Sequence, residues 1–249
     1  MAQSELRKRI EDLSERCERQ SVVTATVFLT PAEQYEINAW AAHRPDSGLL
    51  LTGGQEDCER KRALFLPFWL SPEELDLSEY IRVLRVEAHF GVPEHRDYLG
   101  AALGLGIQRE WLGDIRIDGA AAYIFCLPSV ETLLLNEFTH AGRVGVKTFP
   151  CSLDAVPAQE RKVKRVSFTV KSPRLDAVAS SMFGLSRTAA AELIRLGGCS
   201  LNYAVCERPD APVKEGDVLS LRGRGKGVLT EIGGRSRKDR LFLEAEIYI

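Results

Sequence analysis

The residues best equipped for chemistry in this chain are arginines placed at the starts of elements. Arg174-Leu175-Asp176 opens one helical segment and Leu185-Ser186-Arg187 opens the next. Amides at a helix N-terminus attract phosphate, and a guanidinium group can bind the same anion through two parallel N–H donors. A cation gains nothing from the positive end of a helix dipole, so two arginines in that setting point to an external anion, a phosphate held between two helix starts. Further along, Arg222 to Arg240 carries seven bases against two acids, with glycines set among them in Gly223-Arg224-Gly225-Lys226-Gly227 and Gly233-Gly234-Arg235-Ser236-Arg237-Lys238. Glycine lets a backbone approach phosphate closely, although this spacing follows neither a P-loop nor a dinucleotide fingerprint. The segment reads as a flexible, phosphate-facing arm. Tyr203, earlier in the same basic region, offers an aromatic face on which a base can stack.

Other chemistries fit less well. His95, Arg96 and Asp97 are adjacent, with His89 six residues earlier, but neighbouring residues on a helix point in different directions and no Ser or Cys nucleophile follows an elbow pattern. They read as local caps and pairs, with Arg96, Arg109 and the turns at Gly104 and Gly106 as a second, central RNA surface. Cys17, Cys58, Cys126, Cys151, Cys199 and Cys206 contain no Cys-x-x-Cys pair, which disfavours zinc and thioredoxin-type sites and leaves small core thiols. The expectation is therefore a protein with no catalytic residue, no metal and no cofactor.

Charge agrees with that placement. The net charge of −2 over 249 residues conceals 16 Lys and Arg against 25 Asp and Glu in residues 1–160, a net of −9, and 17 against 10 in residues 161–249, a net of +7. A basic module joined to an acidic body is the footprint of a polyanion binder, because each base that meets a phosphate releases counterions. With 45% apolar and 27% charged residues the composition is that of a globular protein. No stretch reaches the ~20 apolar residues of a membrane span, and the N-terminal residues lack a secretory pattern. The expected location is cytoplasmic.

Three α+β segments position these residues. In residues 1–78, a small α/β domain, Leu6, Ile10, Leu13 and Cys17 mark an amphipathic helix and residues 22–29 a strand. Thr30-Pro31-Ala32-Glu33 carries a capping box ahead of a helix running towards Ala42, and Ser71-Pro72-Glu73-Glu74 repeats that chemistry. Residues 79–158 read strand, helix, strand, strand, helix, strand, with Asp118-Gly119 as the hairpin turn, so a ferredoxin-like (RRM-like) sheet is expected. A linker near 155–162 precedes residues 163–249. There two short helices, capped by Ser172 and Ser186 and ended by Gly184 and Gly197-Gly198, are followed by short strands.

The ordered set Arg174-Leu175-Asp176, Leu185-Ser186-Arg187, Glu192-Leu193-Ile194, Gly197-Gly198, Leu201-Asn202 and Val213-Lys214-Glu215-Gly216-Asp217 resembles the S4 RNA-binding domain. The resemblance implies two helices packed on a small bent sheet and presented to structured RNA. Arg174, Arg187, Arg195, Asn202, Tyr203, Arg222, Arg224, Lys226, Arg235, Arg237 and Lys238 are then the RNA-binding candidates, and Tyr203 departs from the Gly or Lys that many S4 domains place there. The whole chain resembles the YlmH family, on His95-Arg96-Asp97-Tyr98-Leu99-Gly100, Leu103-Gly104-Leu105-Gly106-Ile107-Gln108-Arg109, Gly113-Asp114-Ile115 and Glu231-Ile232-Gly233-Gly234. That likeness implies association with the large ribosomal subunit, its ribosomal RNA and a stalled peptidyl-tRNA in ribosome-associated quality control. It also implies a link to cell division, with the acidic N-terminal domain meeting quality-control or division proteins. The alternatives are an RNA-modifying enzyme carrying an S4 domain and a division-protein partner.

Overall fold

Capping and hairpin chemistry set most element boundaries. The computed structural model describes residues 2–158, 163–236 and 238–248, and the chain divides into two units, residues 1–159 and 160–249. Arg161, Lys162 and Arg237 lie outside the described residues.

The first unit begins with α1 (Ala2–Gln20), β1 (Thr24–Ala25), α2 (Pro31–Ala41), β2 (Leu49–Thr52) and β3 (Arg62–Phe65). The Thr30 hydroxyl accepts the Glu33 N–H at 3.3 Å and Glu33 reaches back to the Thr30 N–H at 2.7 Å, the expected capping box of α2. Both helices cover the antiparallel sheet β1-β3-β2 through Ile10, Cys17, Ile37, Trp40 and Phe65, the last two meeting edge to face at 5.8 Å. Ser71 likewise starts a capping box, but on a single 3-10 turn, Pro72–Glu74.

There follow β4 (Arg82–Ala88), α3 (His95–Gly104), β5 (Leu112–Asp118), β6 (Ala121–Cys126), α4 (Pro128–Glu137), β7 (His140–Ala141) and β8 (Val144–Cys151). The sheet runs β5-β6-β4-β8-β7 with every pairing antiparallel. Leaving aside the two-residue β7, this is the ferredoxin-like layout expected. Gly119, with φ +59°, makes the turn between β5 and β6. One sheet face buries Leu84, Val86, Ala122 and Ile124 under α3 and α4.

The opposite face, which an RRM-like module leaves open, is partly covered. The strand expected over residues 22–29 is interrupted: it pairs at Thr24–Ala25 and again only at Leu29, which bridges Lys61. Between the two the chain leaves its own sheet so that the Phe28 N–H reaches the Glu110 carbonyl at 2.8 Å and its ring buries with Val83, Tyr123 and Phe125. A Cβ on Gly113 would stand 2.7 Å from the Phe28 ring, so only glycine admits this plug. The division near residue 78 is a seam within one packed unit.

The second unit contains β9 (Val163–Val170), α5 (Leu175–Phe183), α6 (Arg187–Arg195), β10 (Cys199–Leu201), β11 (Ala204–Val205), β12 (Val218–Leu221), β13 (Gly225–Arg235) and β14 (Leu241–Tyr248). Its sheet order is β11-β10-β12-β13-β14-β9, all antiparallel. Leu175, Val178, Met182 and Ile194 of the helices bury against Leu219, Leu229, Leu243 and Ala245. Ser186 caps α6, its Oγ accepting the Ala189 N–H at 3.1 Å, and Gly184 at φ +68° ends α5. The cap expected from Ser172 is not made. Arg174 occupies that position, and the Leu175 and Asp176 amides bond the Ala211 and Pro209 carbonyls, each at 2.9 Å.

The flexible arm expected from Arg222 to Arg240 is also corrected. Most of it is β13, paired on both sides, with Leu229 fully buried. Gly227 serves packing here: a Cβ would meet the Glu246 carbonyl at 2.8 Å and the Met182 sulfur at 3.0 Å.

Candidate nucleic-acid interface

Asp176 is the centre of the arginine pair that opens α5 and α6. Its side chain is 8% exposed and accepts Arg187 Nε at 2.9 Å, Arg187 Nη2 at 3.3 Å and Arg174 Nε at 3.3 Å. The arginines themselves remain 43% and 59% exposed. Burial alone would raise the Asp176 carboxyl; hydrogen bonds from Arg187 and Arg174, and their charges, more than reverse this and hold it below the usual Asp value. The inference that only an external anion could gather two arginines here is therefore corrected, because the fold supplies an internal one. The first two amides of α5 are also taken by loop carbonyls, which removes them as phosphate donors. What remains is a pair of guanidinium groups aligned from within by one carboxylate, with several of their five donors each still facing out.

The other candidates separate into exposed and engaged residues. Arg195, in the last turn of α6 where the helix dipole favours a cation, is exposed. Arg222 and Arg224 are exposed in the turn between β12 and β13, and Lys238 is exposed before β14. Arg235 is exposed but meets Asp239 at 2.6 Å. Asn202 is turned inward, donating to Asp217 Oδ1 at 2.8 Å and accepting the Val218 N–H at 2.9 Å. Asp217 also accepts the Lys214 N–H at 2.7 Å, so the Val213-to-Asp217 motif is a turn built by its own side chains.

Asn202 and Tyr203 have φ of +50° and +67°. Two left-handed residues make the β10–β11 hairpin turn, a geometry in which Asn-Gly is the preferred pair, so the bulky Tyr203 stands where glycine is conformationally easiest. The Lys226 ammonium lies 5.1 Å from the Tyr203 ring centre and 5.5 Å from that of Tyr248. These three form an aromatic and cationic cluster.

In the first unit, Arg96 is 80% exposed and pairs with Glu94 at 3.1 Å. Arg109 is half-buried and donates to the Leu112 carbonyl at 2.8 Å. Asp97 accepts the Glu94 N–H at 2.9 Å, the helix-capping role expected of it. Cys17, Cys58, Cys126 and Cys199 are buried, and burial pushes the Cys126 thiol up to about 12 and Cys199 to about 11, far from a reactive thiolate. Among the described residues no group of three or more His, Cys, Asp or Glu is placed to hold a metal ion, and no helix is long and apolar enough to cross a membrane.

Asp176 is the member of this candidate site that sequence reasoning missed. An acid in a first helical turn reads as a dipole partner; the signal for more was its place inside the apolar run 175–179, every residue of which is buried.

Comparison with known proteins extends these observations. Residues 72–155 match the model described as "Putative RNA-binding domain in YlmH", and residues 173–219 match the S4 domain. Among solved structures, cell division protein ylmH from Streptococcus pneumoniae aligns with a TM-score of 0.49 and 21% identity over 62% of this chain and 93% of that one. Ribosome-associated protein quality control protein P2 of Bacillus subtilis strain 168 is 35% identical over 217 residues, which is 86% of this chain and 83% of that one. Likeness of that extent, with both domain matches in the order the motifs have here, means that the chain belongs to the YlmH family.

Proposed function

We infer that this protein is a non-catalytic, cytoplasmic RNA-binding protein that associates with the large ribosomal subunit and a peptidyl-tRNA on it, in ribosome-associated quality control. The observation that carries the reading is the outward pair Arg174 and Arg187 held by buried Asp176. A guanidinium group fixed on one side by a carboxylate loses little rotamer freedom when its other side meets phosphate, which is the condition for tight bidentate recognition. Arg195, Arg222, Arg224 and Lys238 are further exposed bases of the same unit, while Tyr203 and Lys226 supply a stacking face and a phosphate partner. The relative of the same family is named for ribosome-associated quality control, which supports the setting.

The test is sedimentation with purified large subunits across a salt series. The unaltered protein should co-sediment at low salt and release at high salt. The Arg174→Ala/Arg187→Ala variant should stay folded, bind more weakly and lose about one unit of salt slope per contact removed. Arg187→Lys should keep the slope but recover only part of the affinity, since lysine cannot bridge carboxylate and phosphate in a planar fork. Unchanged binding and slope in the double Ala variant would move the contact to Arg222, Arg224 and Lys238. Mass spectrometry of ribosomal RNA and tRNA incubated with the protein should show no modification; a modification lost in His95→Ala would make it an enzyme.

A further inference from the structure

Phe68 and Trp69 are 97% and 57% exposed, side by side on the turn that follows β3. The turn is firmly based: Leu66 is buried beneath it with its N–H on the Gly48 carbonyl at 2.9 Å, and the Leu70 N–H closes on the Pro67 carbonyl at 3.0 Å. The pair is thus held out by a rigid base. Phe68 borders a groove of about 840 Å³ between the C-terminal half of α1 and the loop at residues 44–49, whose lining includes Leu49 and Leu66.

The chain that leads away from this groove is acidic. Residues 67–79 contain Glu73, Glu74, Asp76 and Glu79 and no base, and all four acids are exposed. Glu18 and Asp46, also exposed, line the groove itself. Its one basic lining residue, Arg44, lies 4.6 Å from the Trp40 ring centre and 3.8 Å from Glu11, so its charge is already matched. Adjacent exposed aromatics, with Glu18 and Asp46 in the groove beside them and four exposed acids in the chain that follows, have the make-up of an interface core with an acidic rim. Phosphate would be repelled from this rim, whereas ammonium and guanidinium groups would be drawn to it.

We propose that the Phe68–Trp69 turn and its acidic rim dock a Lys- and Arg-rich segment of a partner protein, with one apolar side chain of that segment seated on the aromatic pair. This surface is independent of the RNA-binding residues in the second unit, and the test below reads it separately.

Full-length protein labelled with 5-fluorotryptophan gives three fluorine resonances, from Trp40, Trp69 and Trp111, and Trp69→Phe identifies the one concerned. It is titrated with two synthetic peptides of equal apolar content, one built on Lys and Arg, the other on Asp and Glu, and with a single-stranded RNA oligonucleotide. The basic peptide should move the Trp69 resonance and leave Trp40 in place. Phe68→Ala should weaken that binding about tenfold, and Glu73→Gln/Glu79→Gln several-fold, with the remainder less sensitive to salt. No movement with the basic peptide overturns the proposal, as does equal movement with the acidic peptide. Movement with RNA alone would make the turn a base-stacking site, and movement with protein concentration alone a self-association surface; either outcome also overturns it.

Discussion

In residues 1–159 three arginines, Arg116, Arg62 and Arg60, point inward, while Arg85, on β4, stays exposed beside Glu87 at 2.7 Å. Arg116, 4% exposed, meets Asp57 at 2.6 Å, donates to Gln55 and Cys58, and lies 5.1 Å from the Phe125 ring centre. Arg62 donates to the Thr26 carbonyl at 2.6 Å and to that of Tyr80, and burial brings its guanidinium down to about 10. Arg60 ties the Phe28 and Leu112 carbonyls together at 2.9 and 3.2 Å. In residues 160–249 the relation is reversed: Arg174 and Arg187 stay outside and share the single inward carboxylate of Asp176. The contrast teaches that a count of bases does not locate a polyanion site. A guanidinium group has five donors, and only where the fold leaves some of them facing solvent can phosphate use them. The inward arginines join the N-terminal segment to the ferredoxin-like sheet on the face where an RRM-like module would meet RNA.

Arg116→Ala should show the largest effect. It removes the Arg116 side of the pair with Asp57, together with the bonds to Gln55 and Cys58, and opens space against Phe125; breaking a buried pair in this way costs about 3 kcal/mol. Urea denaturation followed by tryptophan fluorescence should show the loss in the first unit, while the folded protein keeps its RNA affinity and salt slope. A loss of RNA affinity without a loss of stability would break the inward half of the comparison.

Tyr203→Gly sharpens the outward half. Glycine removes the steric cost of φ +67°, about 1 kcal/mol, but forfeits the contact with Lys226, worth about 0.5–1 kcal/mol at an exposed site, and loosens the unfolded chain. Stability should therefore stay within about 0.5 kcal/mol, whereas a lost stacking contact with an unpaired base should weaken single-stranded RNA binding by about 1–2 kcal/mol. Equal RNA affinity in the two proteins, measured by fluorescence anisotropy, would make the tyrosine a structural residue alone.

Local rules carried much of this structure into the sequence. Thr30 with Glu33, Asp118-Gly119, Ser186 and Gly184 each act on residues within four positions, and each marks its boundary as expected. Non-local pairings were hidden. Phe28 leaves its strand for a site formed by Gly113 and Phe125, about a hundred residues away at its farthest. The glycines and bases of 223–235 look like an arm because nothing nearby shows that β12 and β14 will flank them. At the candidate interface the arginines were visible by type, but their alignment depends on Asp176, which the fold holds between the two arginines and the distant Pro209 carbonyl.

The smallest expected effect is a pH dependence confined to the second unit, and its sign follows from Asp176. The folded-state pKa of this carboxyl is lowered, burial being outweighed by the hydrogen bonds and charges of Arg187 and Arg174. Its contribution to stability is thus fully present above the unfolded Asp value of about 3.9 and is lost as pH falls through the lower folded value. Because both arginines are substantially exposed, solvent screening limits the contribution to about 0.5 kcal/mol. Denaturation of the second unit between pH 5 and pH 3 should show a shallow loss that Asp176→Asn abolishes. The same variant frees both guanidinium groups from their internal anchor at every pH. If alignment rather than charge makes this surface bind, Asp176→Asn should weaken RNA binding at pH 7 even though it raises the net charge by one; stronger binding would mean that charge alone attracts the RNA and that the inward carboxylate serves only the fold.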